Sequence, residues 1–280
     1  MSKRKLLPPA GSTVLNAPYG LWSILFILAP MGMVAFFAFT DSNGQWSLAT
    51  FQRIFENSHI YLRAFGDSLR YGALATAISL ALAFPLAHFM AQTKISTQRM
   101  LMMLIMVPMW MNFLIATYAW RTLLEQNGLI NTLLASLNLP RLQMINTPGA
   151  VILGMVYNFL PFMILPIYSV MSRLNVSLVE AAADLGASRF HVLRKVIMPL
   201  SMPGVISGVI MVFVPSVSIF YISRKLGGRS VLLIGDIIAD VVLEEMHLGA
   251  ALALILMAIV LICMLVLNRF SSRERGAFVT

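Results

Sequence analysis

Six long apolar runs, separated by short polar segments, dominate the sequence. The runs cover residues 19–39, 69–90, 100–123, 150–171, 204–222 and 248–267. Each run is close to the length of about 20 residues that an α-helix needs to cross the hydrocarbon core of a bilayer. The pattern therefore predicts six transmembrane helices in a single domain at residues 19–270, with tails at residues 1–18 and 271–280.

The amino-acid composition agrees with this pattern. Hydrophobic residues make up 59% of the 280 residues and charged residues only 11%, whereas soluble domains contain about 25% charged residues. The predicted fold class is therefore an all-α polytopic membrane protein. The first run could instead belong to a signal peptide, but no A-x-A cleavage site follows it, so we interpret it as a membrane anchor.

The distribution of charge sets the predicted orientation. The net charge of +9 raises nucleic acid as a partner, but the basic residues are dispersed between the apolar runs. With the N-terminus inside, 12 of the 20 basic residues fall in cytoplasmic segments. This excess follows the positive-inside rule. We therefore predict that both termini are cytoplasmic and that the chain meets membrane lipid rather than nucleic acid.

The polar stretch at residues 177–203 carries strong helix signals. Ser177 and Glu180 have the S-x-x-E spacing of a capping box, which satisfies backbone N–H groups at a helix start. Gly186 stands where a helix commonly ends in a left-handed conformation, and Ser188 can cap a second helix. The stretch therefore predicts a short helix, a tight turn and a second cytoplasmic helix that leads back into the bilayer.

This stretch resembles the EAA loop in the membrane subunits of bacterial ABC importers. The E-A-A triplet, a glycine after three intervening residues and a final proline all match, while Val196 and Met198 replace the isoleucine and leucine of that pattern with other apolar residues. The resemblance implies that residues 177–199 are a coupling loop for a cytosolic ATPase. Its candidate contact residues are Glu180, Ala181, Ala182, Asp184, Leu185, Gly186 and Pro199.

From about residue 68 onwards, the sequence is also similar to the permease subunits of spermidine/putrescine importers. The similarity rests on short motifs such as V-P-M-W-M-N at 107–112, L-P-F-M at 160–163 and L-P-I-Y at 165–168. It implies a type I ABC importer permease fold in the bacterial inner membrane. It also implies a second homologous permease chain, two ABC ATPase subunits and an extracytoplasmic substrate-binding protein. Related permeases carry other solutes, so another small solute stays open beside polyamines.

The sequence has no motif that assigns a reaction to this chain. It lacks the G-x-x-x-x-G-K-[ST] pattern that cradles nucleotide phosphates, so ATP–Mg is expected on the partner ATPase and no cofactor on this chain. The four histidines match no metal-ligand spacing. Two alternatives stay open: a secondary transporter, which would need broken-helix repeats and coupling-ion carboxylates, and a membrane assembly subunit that transports nothing.

Aromatic and amide side chains within the runs are candidates for a solute path. The candidates are Trp110, Asn112, Tyr157, Asn158 and Tyr221. Aromatic faces attract ammonium groups by about 0.5–2 kcal/mol, and asparagine carbonyls accept hydrogen bonds from them. The alternative is that these residues hold helices together. Tyr221, towards the predicted outer end of a span, also fits an aromatic belt.

Charged residues before the sixth run allow two interpretations. Asp236, Asp240 and Glu244 follow one another at four-residue spacing and would line one helical face. That face is either an acidic mouth that attracts cations or a plain solvated surface. Three basic residues nearby weaken the acidic mouth and could instead dock acidic residues of a binding protein: Arg224, Lys225 and Arg229.

Single cysteines test the predicted topology. In a Cys263→Ser background, cysteines in place of Ser136 and Ser230 should react with an impermeant thiol reagent added outside intact cells. A cysteine in place of Ser188 should react only from the cytoplasm. The measurement is labelling before and after permeabilisation of the cells. Labelling of the Ser188→Cys protein from outside would contradict both the topology and the cytoplasmic coupling loop.

Overall fold

A computed structural model describes residues 18–41, 43–56 and 58–277. The predicted N-terminal tail lies outside these residues except for Pro18. The helices of the described residues are α1 (Pro18–Ala38), α2 (Ala49–Glu56), α3 (Ser58–Gln92), α4 (Ile95–Trp110), α5 (Phe113–Leu124), α6 (Leu129–Ser136), α7 (Pro148–Met171), α8 (Val176–Asp184), α9 (Arg189–Val217), α10 (Ile234–Glu244) and α11 (Met246–Ala277). Within this part of the chain, extended pairing is limited to one isolated bridge between Thr40 and Trp46. The all-α prediction is therefore confirmed.

Most of the apolar runs form helices that can cross a membrane. Within the described residues, α1, α3, α7, α9 and Met246–Leu267 of α11 are long and apolar enough. The helix α4 and the segment Phe113–Ser136 reach that length only together, and they are bent by 89° where they meet. The third predicted span, at residues 100–123, is therefore interrupted at residues 111–112 and is not one regular helix.

The break in the third run has a local cause. Pro108 has no backbone N–H, so α4 loses a hydrogen bond near its end. The next residues are extended at Met111, after which the side chain of Asn112 accepts the backbone N–H of Leu114 at 2.9 Å and caps α5. Asparagine competes in this way with the helical hydrogen-bond pattern, so the chain begins a new helix in a new direction.

Three other helices have ends that differ clearly from the predicted spans, and one of them, α11, continues to Ala277 instead of ending near residue 267. The helix α3 begins at Ser58, well before residue 69, and its early turns carry the ion pair of Arg63 and Asp67 at 3.9 Å. Such i,i+4 pairs stabilise helices modestly. The helix α9 ends at Val217 rather than at residue 222. There the hydroxyl of Ser218 donates to the carbonyl four residues earlier at 3.2 Å.

The described residues form two compact units, of which the first joins residues 18–56 with residues 240–255. In this unit the rings of Phe37 and His247 meet edge to face at 5.8 Å. Arg53 donates to Glu245 at 2.9 Å. This hydrogen bond, together with the charge of Arg53, holds the pKa of Glu245 below its ordinary value. The pair is exposed, so its contribution to stability is small.

The second unit contains residues 58–239 and 256–277, and its core lies where α3, α7 and α9 pack together. Two clusters of buried side chains fill it. Cluster 1 contains Ala83, Ala87, Met90, Met163, Ile164, Ile167, Met171, Val192, Ile197, Val205 and Val212. Cluster 2 contains Ala75, Leu124, Ala150, Val151, Met155, Val156, Ile222, Leu226, Val231 and Leu233. The single-domain assignment for residues 19–270 stays a prediction.

Two glycines allow α9 to approach α7 closely. A Cβ added at Gly204 would lie 2.7 Å from the carbonyl oxygen of Pro166, and one at Gly208 would lie 2.7 Å from the sulfur of Met163. Apolar surface gives little driving force between helices in lipid, so association depends on close contact through small residues. These two positions therefore fix α7 and α9 against each other.

Candidate coupling loop and solute path

The first helix of the predicted coupling loop is capped by a residue that the motif did not indicate. Asn175 precedes α8, and its side-chain oxygen accepts the backbone N–H of Ser177 at 3.1 Å. Ser177 is therefore inside the helix rather than at its cap, and Glu180 lies beyond the first turn. The predicted capping box of Ser177 and Glu180 is wrong, because Asn175 offers an equally good cap two residues earlier.

The turn after α8 follows the prediction. Gly186 has a φ of +81°, a conformation that costs residues with a Cβ about 1–2 kcal/mol. Its N–H bonds the carbonyl of Ala183 at 2.9 Å, and the N–H of Ala187 bonds the carbonyl of Ala182 at 3.1 Å. Together these two bonds form a Schellman motif. The predicted left-handed glycine at the end of this helix is confirmed.

The second helix begins as predicted but continues further. The hydroxyl of Ser188 accepts the backbone N–H of His191 at 3.3 Å, which confirms the predicted cap. The helix then runs unbroken from Arg189 to Val217 through Pro199 and Pro203, so the predicted second cytoplasmic helix and the fifth predicted span form one helix. A π-helical turn at Leu193–Ile197 precedes Pro199 and lies where proline removes a regular helical hydrogen bond.

The coupling loop has a packed side and an exposed side. Its packed side touches cluster 1 through Val179, Ala182, Ala187, Leu193 and Val196. On the other side, Leu185 is 89% exposed and Phe190 is 70% exposed. Contiguous apolar patches outside a membrane mark protein-interaction sites, so these two side chains are candidates for contact with another protein. The loop is thus attached firmly to the helical bundle while it presents an apolar surface outward.

The seven coupling candidates divide between these two sides. Ala182 and Pro199 are half-buried and therefore support the loop. The other candidates are exposed: Glu180, Ala181, Asp184, Leu185 and Gly186. A Cβ added at Gly186 would meet no atom of the described chain within 4 Å. Space above this glycine is therefore open to another protein.

Two solute-path candidates, Trp110 and Asn112, lie at the break in the third run. Trp110 is the last residue of α4, and its side chain is 79% exposed. Asn112 is exposed too, although its side-chain oxygen already accepts a backbone N–H in the cap of α5. The sequence placed both residues within a regular span. In the structure both residues lie at the corner between α4 and α5. There the Trp110 ring is exposed, and the backbone of Met111 is extended instead of helical.

The candidates on α7 are occupied by contacts within the chain. The ring of Tyr157 meets that of Trp120 edge to face at 5.4 Å. The side-chain amide of Asn158 donates to the carbonyl of Gly154 at 2.8 Å. The ring contact favours the helix-packing interpretation for Tyr157, whereas the hydrogen bond of Asn158 lies within α7 and joins no second helix. Their role in the solute path stays a prediction.

Tyr221 joins an aromatic cluster that the sequence did not indicate. Its ring lies 5.2 Å from the ring of Phe113 and 6.4 Å from that of Tyr118. The ammonium group of Lys225 faces both tyrosine rings. Tyr221 and Lys225 are four positions apart, a spacing that places two side chains on the same face of a helix. The sequence therefore contained a signal for their contact. The contacts of Tyr221 with Phe113 and Tyr118 of α5 depend on the break in the third run, which the sequence did not predict.

Asp236 is part of neither an acidic mouth nor a solvated face. Its side chain is only 3% exposed. One carboxylate oxygen accepts the backbone N–H of Leu233 at 3.0 Å, and the other lies 3.8 Å from the guanidinium of Arg224. Both interpretations of the acidic series are therefore wrong for Asp236, since its carboxylate is needed at the start of α10. Asp240 and Glu244 are exposed.

The described residues thus combine long apolar helices, which are typical of a polytopic membrane protein, with an exposed loop of two helices. Residues 79–276 match the family described as "Binding-protein-dependent transport system inner membrane component", and the chain belongs to this family. The family resemblance inferred from the coupling loop is therefore confirmed.

Known relatives cover nearly the whole chain. The "Spermidine/putrescine transport system permease protein PotB" of Haemophilus influenzae is 34% identical over 265 residues, which are 90% of this chain and 92% of the relative. The protein of the same name from Escherichia coli K12 is 34% identical over 260 residues, 89% and 94% of the two chains. The "Inner membrane ABC transporter permease protein YdcU" of Escherichia coli K12 is 33% identical over 72% of this chain and 69% of its own.

A solved structure confirms the predicted type of fold. A chain of a bacterial ABC transporter involved in the import of the acidic polysaccharide alginate superposes with a TM-score of 0.79. The superposition covers 94% of this chain and 95% of that chain at 16% sequence identity. At this identity the comparison concerns the fold alone, which is that of an ABC importer permease.

The corrected cap gives a prediction for the coupling loop. Asn175→Ala should loosen the first turn of α8, because loss of an N-cap costs about 0.5–2 kcal/mol. Amide hydrogen exchange at residues 176–185 of the purified protein should therefore become faster. Glu180→Ala is the matched control and should leave the exchange close to that of the wild type. Faster exchange in the Glu180 variant alone would restore the capping box and contradict this account.

Proposed function

We propose that the chain is one transmembrane subunit of an ATP-driven ABC importer for polyamines such as spermidine and putrescine. It forms half of the translocation path beside a second homologous permease. Two cytosolic ABC ATPase subunits bind its residues 177–199 and supply ATP–Mg chemistry, for which this chain has no site of its own. An extracytoplasmic binding protein delivers the solute. Both termini lie in the cytoplasm of a bacterial cell, and the chain spans the inner membrane.

One observation carries the proposal: the match to a spermidine/putrescine permease extends over 90% of the chain. The shape of the proposed coupling loop supports it. The loop ends in a left-handed glycine with open space above it. Beside that glycine, Leu185 offers an apolar contact. A soluble partner can therefore seat on the loop without displacing any side chain of this subunit.

The packing suggests how a movement of the ATPase reaches the membrane. The coupling loop rests on cluster 1, which also contains residues of α3, α7 and α9. Closely packed interiors transmit displacement rather than absorb it. Closure of an ATP-bound ATPase dimer would push the coupling loops of the two permeases together, and the spans would move as rigid bodies to open the path outward. Hydrolysis would reverse the change in population.

The break in the third run bears on the secondary-transporter alternative. Interrupted helices occur in such transporters, where they appear in repeated pairs and coordinate coupling ions. Within the described residues, one pair of helices is bent in this way, where α4 and α5 meet at residues 111–112. Residues 69–123, 148–171, 198–217 and 246–267 contain no aspartate or glutamate. Without carboxylates at that depth, coupling to a proton or sodium gradient has no evident site.

Transport in a reconstituted complex tests the function. Proteoliposomes should contain this chain with the permease, ATPase and binding-protein subunits encoded beside it. Labelled spermidine or putrescine should enter only with ATP on the ATPase side and binding protein on the other. Uptake driven by an ion gradient without ATP would support a secondary transporter. If neither polyamine enters, thermal stabilisation of the binding protein by another solute would support the alternative substrate.

Gly186→Asp tests the coupling role of the loop. The change adds backbone strain of about 1–2 kcal/mol, together with bulk and a negative charge beside Asp184. Co-purification of the ATPase and solute-stimulated ATP hydrolysis should both fall, while the membrane helices stay folded.

Gly186→Asn is the matched control for the charge. Asparagine has nearly the same size as aspartate and tolerates the left-handed conformation, so this variant should retain more ATPase than the aspartate variant. Far-ultraviolet circular dichroism confirms that both proteins keep their helices. Wild-type coupling in the Gly186→Asp protein would show that the loop is not the element that transmits the movement.

A further inference from the structure

A lysine occupies the faces of two tyrosines beside the break in the third run. The ammonium nitrogen of Lys225 lies 5.0 Å from the ring centroid of Tyr118 and 5.7 Å from that of Tyr221. Both distances are within the range of about 6 Å over which a ring attracts a cation. The two rings are tilted by 71° relative to each other. They therefore act as two walls around a single ammonium group.

The backbone explains why Lys225, and not its neighbour, faces the rings. Both residues lie in the π-helical turn Ser223–Gly227, a type of turn that is frequent at functional sites. Arg224 points to Asp236, whose carbonyl oxygen and carboxylate lie 3.3 and 3.8 Å away. That carboxylate is buried and tied to the start of α10. Arg224 is therefore held in place by Asp236, whereas Lys225 faces the two rings and also interacts with the Tyr118 hydroxyl through a side-chain hydrogen bond.

The tyrosine pair belongs to the surface formed by the break. Tyr118 lies on α5, and Phe113, in the first turn of the same helix, packs on Tyr221 at 5.2 Å. Tyr118 and Phe113 are both exposed. The ring faces are thus at the surface of the chain, but the ammonium of Lys225 already covers them.

We propose that Lys225 is a tethered competitor of the cationic solute. It occupies the pair formed by Tyr118 and Tyr221 when no solute is present, and it yields that pair to an ammonium group of the solute during transport. The inference deepens the proposed function and rests on it, since only a cationic solute would compete for these rings. Lys225 thereby becomes a residue that determines specificity.

Repulsion between cations and the mobility of the lysine side chain make this competition possible. Two ammonium groups cannot share one pair of rings, because like charges at such distances repel. The flexible four-carbon stem of lysine lets it leave and return without a change of backbone. A neutral solute gains nothing by displacing it. The competition also keeps binding of the solute weak, and weak sites favour passage over trapping.

Equilibrium binding to the permease–ATPase complex, with the binding protein omitted, measures this competition. Labelled spermidine is the probe. Lys225→Met removes the charge but keeps the length of the side chain, and it should tighten spermidine binding about two- to tenfold, the factor that one cation–π contact supplies. Lys225→Arg keeps a cation and should bind spermidine as the wild type does. Arg141→Met, which removes one exposed charge that contacts Asn127 rather than a ring, controls for net charge and should change nothing.

A double variant shows whether the gain depends on the rings. In the Lys225→Met background, Tyr221→Leu should abolish the tighter binding, because the freed aromatic face is then lost. The gain should persist if the methionine acted through general charge, and that outcome would overturn the inference. Tyr221→Leu therefore separates competition at the rings from a change in overall potential.

The outcomes distinguish this inference from the proposed function. If the wild-type complex neither binds nor imports spermidine, the proposed function fails and the inference with it. If the wild type imports spermidine while Lys225→Met binds it equally well, the function stands and the competitor is overturned. Weaker binding by Lys225→Met would mean that the lysine supports the rings rather than competes for them, and it would overturn the inference too.

Discussion

The close contact between α7 and α9 is the interaction on which the second unit depends. Lipid solvates apolar side chains as well as another helix does, so these helices gain stability from contact at short range. Gly204 and Gly208 make that contact possible because their missing side chains leave room for Pro166 and Met163. Larger residues at these positions would push the two helices apart, and the side chains of cluster 1 would lose packing contacts. The same cluster also contains the buried side chains of Met90 from α3 and Met171 from α7.

A consequence of this packing is that the coupling loop and the spans form one continuous structure. The loop contributes Val192 and Ile197 to cluster 1, the same cluster that holds α3 and α7 together. A hydrogen bond from Tyr168 to Gln98 at 2.7 Å connects α7 with α4 as well. Movement at the loop would therefore be shared by several spans instead of being confined to the loop. This hydrogen bond is directional, whereas the apolar packing around the helices has no preferred direction.

Much of the fold could be predicted from the sequence because its signals are local. Apolar length predicts spans, and the left-handed glycine and the cap at Ser188 follow from the chemistry of two residue types. The N-cap of α8 shows the limit of that approach, because the sequence pattern predicted Ser177 as the cap whereas the structure has Asn175 there. Both residues can cap a helix, and their competition is decided by the chain that precedes α8. A motif that places one capping residue at the right spacing cannot settle such a choice.

The break and the aromatic cluster could not be predicted in the same way. Pro108 and Asn112 were visible, but prolines also occur inside intact spans of this chain, as Pro161 and Pro166 do in α7. The burial of Asp236 likewise depends on Arg224, a contact that helical spacing alone cannot indicate. These features arise where two separate segments meet. They concern the solute path more than the coupling loop, so the loop was the more predictable of the two candidate sites.

The exposed apolar pair on the coupling loop has a consequence for the life of the subunit before assembly. Leu185 and Phe190 are exposed on the coupling loop, which under the proposed topology lies in the cytoplasm and meets water until a partner binds. A copy of the chain that finds no partner keeps this apolar surface open to solvent. Such a surface is a recognisable mark of an orphan subunit for chaperones and proteases. The residues that join the complex would thus also limit how many unassembled copies accumulate in the membrane.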